Sequence, residues 1–97
     1  MDFTHQFLDY LALEKNYSAL TVTSYKRDLE DFINFYQQEE NTIEIHLASK
    51  NHIRAFIMYL TELKKSEKTV NRKLSALRSS YRYLIKERQL TVNPIEQ

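Results

Sequence analysis

The stretch "TVNRKLSALRSSYRYL", residues 69–84, carries two patterns at once. Val70, Leu74, Leu77, Tyr81 and Leu84 recur at steps of three and four residues, the spacing of a helix with one buried face. Between them stand Asn71, Arg72, Lys73, Ser75, Arg78, Ser79 and Arg82, with no acid anywhere in the stretch. On a helix drawn at about 100° per residue, Arg72, Ser75, Ser79 and Arg82 fall on or near the arc opposite the stripe, with Arg78 on one flank. The helix, predicted over about residues 67–87, needs partners to cover its apolar side.

Three further segments supply them. Phe3, Phe7, Tyr10 and Leu11 mark a helix over about residues 2–15. Val22, Tyr25, Leu29, Phe32, Ile33 and Tyr36 mark a longer one over about 18–39, and Ile53, Phe56, Ile57, Leu60 and Leu63 a third over about 50–64. No segment sustains strand alternation, and the chain has no glycine, which the tight turns of a small β domain would need. Roughly twenty large apolar residues suffice for one bundle core. The fold class is all-α, a four-helix bundle, and 97 residues make one domain.

Start signals agree with the stripes. Ser18 and Ser49 are placed to cap the second and third helices; Ser66 and Thr69 are both eligible for the fourth. "NTIEIHLAS" (41–49) is the longest connection, its Ile43, Ile45 and Leu47 expected to tuck against the bundle. The tail "LTVNPIEQ" (90–97) ends at an Asn-Pro pair that disfavours helix and has little left to pack, so it reads as the start of a linker.

Net charge is only +1, but it is unevenly spread. Residues 1–63 hold five Lys/Arg against ten Asp/Glu, and residues 64–97 hold nine against three. The excess of base begins before the last helix and runs its length, more than a helix dipole explains. A merely solvated helix would more often mix in acids, as the second does with Glu30 and Asp31 after Lys26 and Arg27. Guanidinium suits phosphate and guanine edges, and short serines permit close approach to a groove. By charge alone, a nucleic-acid face stands level with a plain solvated face or a docking face for an acidic partner.

Other chemistry is poorly supplied. There is no cysteine, and His46 and His52 are not at a metal-ligand spacing, so neither a metal nor a cofactor is expected. Tyr10, Tyr25, Tyr36 and Tyr81 lie on apolar stripes and Tyr83 at the rim, so no catalytic tyrosine is expected. Asp28, Glu30 and Asp31 read as solvated partners of Lys26 and Arg27. The N-terminus lacks an apolar run for a signal peptide or membrane span, and the expectation is a soluble, cytoplasmic protein with no membrane partner.

Order and spacing add to this reading. Ser18 and Thr21 open the second helix ahead of Tyr25, Asp28, Leu29 and Phe32; Arg72, the run Leu74-Ser75-Ala76-Leu77-Arg78 and Tyr83-Leu84 follow in the fourth, and Asn93-Pro94 closes. This arrangement, over residues 3–96, resembles the N-terminal core-binding domain of tyrosine recombinases and phage-type integrases, with most likeness to the XerC/XerD group. The resemblance implies a SAM-like orthogonal bundle of four helices that clasps one half-site of a double-stranded recombination site. Its partners would be a catalytic domain of the same parent chain, absent here, and other protomers in a tetramer. Carried over by position, the DNA-facing residues are Thr21, Ser24, Lys26 and Arg27 in the second helix. In the fourth they are Thr69, Asn71, Arg72, Ser75, Arg78 and Ser79, with Lys64, Lys65 and Lys68 adding phosphate contacts. The reading from another class is a helical protein-interaction domain docking an acidic partner. The two separate on whether Thr21, Ser24 and Lys26 share a surface with Arg72 and Ser75.

Overall fold

Two of the four helices begin with the same device. Ser18 accepts the backbone N–H of Thr21 at 3.2 Å and Ser66 that of Thr69 at 3.1 Å, and in each pair the two hydroxyls also bond at 3.0 Å. The computed structural model describes residues 3–87 and 90–96. In order they form α1 (Phe3–Leu13), α2 (Ala19–Glu40), a short 3-10 turn (Ile45–Leu47), α3 (Lys50–Glu62) and α4 (Glu67–Lys86). The helix bounds match expectation within two residues, except that Asp2, the expected start of the first, lies outside the described residues. Ser66, not Thr69, caps α4.

Ser49 starts α3 with help from His52, whose Nδ1 accepts the Ser49 backbone N–H at 3.0 Å. An accepting Nδ1 leaves the ring proton on Nε2, which faces Glu40 Oε1 at 2.5 Å and ties the end of α2 to the start of α3. With no glycine available, left-handed backbone falls to Asn16, Asn41 and Lys64 (φ 55°, 58° and 61°). Lys64 closes α3: its N–H reaches Thr61 O at 2.9 Å while that of Lys65 reaches Leu60 O at 3.1 Å, the paired bonds of a Schellman end.

α2 is the hub, touching α1, α3 and α4. Phe7, Leu29, Phe32, Ile45, Phe56, Leu77, Tyr81 and Leu84 fill the centre. Phe32 meets Phe56 edge-on at 5.0 Å, and the Tyr81 hydroxyl donates to Ile45 O at 2.6 Å, pinning the long connection beneath it. Only Ile45 of that connection's three alternating apolar residues is buried; Ile43 and Leu47 face outward. Leu63 is likewise exposed, while Phe35, off the expected α2 stripe, is buried. On α4 the inward face takes Lys73, Ala76 and Ser80 beside Leu77, Tyr81 and Leu84, and leaves Val70 and Leu74 half-buried.

The tail departs from expectation. Asn93 and Pro94 are buried, Leu90 and Ile95 pack on the core, and Glu96 accepts Arg82 Nη2 at 2.6 Å. Residues 90–96 therefore fold back along α4 and had more to pack against than their composition suggested; Gln97 lies outside the described residues. Among the described residues no helix is long and apolar enough to cross a membrane.

Candidate nucleic-acid interface

The outward face of α4 is a single row. Lys68, Arg72, Ser75, Ser79, Arg82 and Lys86 follow at steps of four and three residues, opposite Lys73, Leu77, Ser80 and Leu84. Beside the first half of that row, α2 presents Thr21, Ser24 and Asp28 at the same kind of spacing. Thr21, Ser24, Asp28, Arg72 and Ser75 line one cleft of about 360 Å³, edged by the exposed Leu20. Two of the three α2 residues whose placement separates the two readings thus share a surface with Arg72 and Ser75. Lys26 does not; two residues beyond Ser24, it is turned about 200° around the helix. Arg27 is exposed one turn along from Ser24.

Arg72 is held. Its Nε donates to Asp28 Oδ2 and its Nη2 to Oδ1, both at 3.0 Å, a bidentate pair. Asp28 also accepts Lys73 Nζ at 3.0 Å, and Lys73 reaches on to Asp31. Asp28 and Lys73 are 3% and 5% exposed, so the reading of Asp28 and Asp31 as solvated partners of Lys26 and Arg27 is corrected: these two acids bridge to α4, while Glu30 stays exposed. Burial works against the Asp28 charge, yet the hydrogen bonds and nearby charges of Arg72 and Lys73 outweigh it and hold the carboxyl below its ordinary 3.8. Burial likewise disfavours charged Lys73, and its bonds to Asp31 and Asp28 more than compensate. The Arg72 side chain remains 54% exposed, with Nη1 and one Nη2 hydrogen directed away from Asp28. A guanidinium fixed on one edge offers the other without first losing rotamer freedom.

The remaining candidates scatter. Thr69 bonds its cap serine as Thr21 does but is not among the residues lining that cleft, and Asn71 is exposed on the flank. Arg78 turns towards the tail, its Nε 3.9 Å from Glu96 Oε1 and its carbonyl near Asn93 Nδ2. Ser79 belongs to a second cleft further along α4, where Lys15, Tyr17 and Lys86 join it. Lys65 lines another cleft, between α2 and α3, with Asp31 and Tyr59. Among the described residues Lys26, Arg27, Lys64, Lys65 and Lys68 form no ion pair. The arc of α4 extends by its own spacing to Lys86, a signal present in the sequence, but Lys15 joins it only through packing of α1 and α4.

These features define a class: a small all-α domain whose cationic and hydroxyl side chains gather along one helix and the cleft beside it. The chain belongs to the family of phage integrase N-terminal SAM-like domains, whose model matches residues 4–88. Its relatives include tyrosine recombinase XerC of Listeria innocua, 46% identical over 92 residues covering 92% of this chain and 29% of that protein. Tyrosine recombinase XerD of Rickettsia bellii is 38% identical over 95 residues, covering 98% and 30%, and XerC of Anoxybacillus flavithermus is 36% identical over 88, covering 91% and 29%. The chain thus spans about 30% of the length of the curated relatives it matches. No solved structure matches it.

Proposed function

We propose that this chain is the DNA-binding domain of a tyrosine site-specific recombinase or integrase. In this reading it clasps one half-site of a duplex and positions a separate catalytic domain, other protomers completing the assembly. One observation carries the proposal: hydroxyls of α2 and the fixed guanidinium of α4 converge on a single cleft, and Arg27 and Lys68, exposed on the same two helices, form no ion pair among the described residues. Arg72 and Ser75, with Thr21 and Ser24, would meet the groove, and Arg27 and Lys68 its phosphates. The chemistry of strand cleavage lies elsewhere. Tyr36 and Tyr81 are buried, and Tyr10, Tyr25 and Tyr83 are half-buried among one another's rings and Phe7. An adaptor for an acidic partner would fit diverging faces on α2 and α4 better than converging ones.

The test divides the cations by role. Using a site selected from randomised duplexes and a scrambled control, Arg72→Ala should lose about 1–3 kcal/mol of discrimination. Lys68→Ala should weaken both duplexes alike. Arg78→Ala, turned to the tail, should change discrimination less than Arg72→Ala. Equal losses on both duplexes for Arg72→Ala would reduce that residue to a phosphate contact. Failure of the unaltered chain to bind any duplex at low salt would overturn the proposal.

A further inference from the structure

We infer that the duplex-binding surface continues past the first cleft onto a second, where Lys15 and Lys86 hold the phosphodiester backbone of the same duplex. This rests on the reading above. The second cleft, about 240 Å³, lies between the end of α1, the start of α2 and the last turns of α4. Tyr25 lines both clefts, so they are contiguous, and Ser79, Arg82 and Lys86 continue the row begun by Lys68, Arg72 and Ser75. No carboxylate is among its described lining residues. Arg82 is engaged by Glu96 at 2.6 Å, which leaves, among the described lining residues, the ammonium groups of Lys15 and Lys86 as its available charges. Lys86 Nζ stands 5.0 Å from the centre of the Tyr10 ring, and Lys15 forms no ion pair among the described residues.

The occupant follows from size, shape and reach. At about 240 Å³ the cleft falls below the usual range of small-molecule pockets, about 300–1,000 Å³. A stacked base has no slot either, since Tyr10 and Tyr83 already pack ring to ring at 4.8 Å. Ammonium groups, with the hydroxyls of Tyr17, Tyr25 and Ser79 at hand, are the donors that commonly meet phosphate oxygens. The row from Lys68 to Lys86 covers eighteen steps, about 27 Å of helix, whereas the major groove is about 12 Å wide. A helix whose middle sits in that groove overruns its walls at the ends, where the sugar–phosphate strands run. Lys68 marks one end and the second cleft the other.

The experiment is fluorescence anisotropy of the full chain with a mixed-sequence 20-base-pair duplex across a salt series. Each lost phosphate contact reduces the slope of log K against log[salt] by about 0.9. The double variant Lys15→Ala/Lys86→Ala should therefore bind with a slope shallower by about 1.8. Both lysines are exposed, so circular dichroism should report the same fold. The pair Lys50→Ala/Arg54→Ala on α3 removes equal charge and should leave the slope nearly unchanged. An unaltered slope for Lys15→Ala/Lys86→Ala overturns the inference, as does an equal drop for the α3 pair. So does loss of poly-glutamate binding with duplex binding intact, which would assign the cleft to an acidic peptide. If the unaltered chain ignores the duplex, it is the DNA-binding reading itself that fails.

Discussion

Lys73→Met should destabilise the domain by about 3 kcal/mol, because it removes a charge while retaining most of the stem. Breaking a buried ion pair from one side costs about 3–5 kcal/mol, and the lower end applies here since Asp28 keeps Arg72 as a partner. The effect should carry a pH signature. In the native protein Asp28 titrates below its ordinary 3.8, so its contribution is complete above that value and is lost as pH falls through the folded pKa. Without Lys73 the folded pKa rises, and acid destabilisation should begin at higher pH. Urea unfolding at pH 7 and along an acid series measures both. The double variant Asp28→Leu/Lys73→Met should cost less than the two single changes together, because no buried charge is left alone. A loss under about 0.5 kcal/mol for Lys73→Met would mean that the pair is solvated rather than buried.

The second large effect is on binding. If Arg27, Lys68, Lys15 and Lys86 each meet a phosphate, log K should fall with log[salt] at a slope near −3.6. Between 50 and 200 mM salt that is a loss of about 150-fold. Arg78 and Arg82 are left out of the sum because Glu96 already faces them. A slope near −1 would signal a single ion pair and would contradict a surface laid along the duplex. Net charge of +1 alone would not produce the steep dependence; the concentration of base in residues 64–97 would.

Much of the fold was legible because local signals agreed. The apolar stripes and the serines at 18 and 49 located their helices, and absence of glycine argued against a β domain. Ser66 and Thr69 stayed equivalent because either hydroxyl can cap, and only the entry path of the chain decides. Lys73 was left unassigned for a deeper reason. Pattern reading sends a lysine to solvent, and its acid, Asp28, lies 45 residues away on α2. Residues 69–84 of α4 hold no acid, and their carboxylate partners come from outside the helix: Asp28, Asp31 and Glu96. Arg78 is named DNA-facing by resemblance alone, and its approach to Glu96 of the tail is a tertiary contact that no local pattern announces. Thr21, Ser24, Arg72 and Ser75 were identified by family resemblance, and packing of α2 on α4 is what brings them to one cleft.

The most direct test is a map of amide chemical-shift changes as a 20-base-pair duplex is added to the isotopically labelled chain at low salt. The changes should concentrate on Thr21 and Ser24 of α2 and run along Lys68, Arg72, Ser75, Ser79 and Lys86 of α4. Changes confined to α3 and the cleft it shares with α2, around Tyr59, Leu63 and Lys65, would contradict the proposed DNA-facing surface.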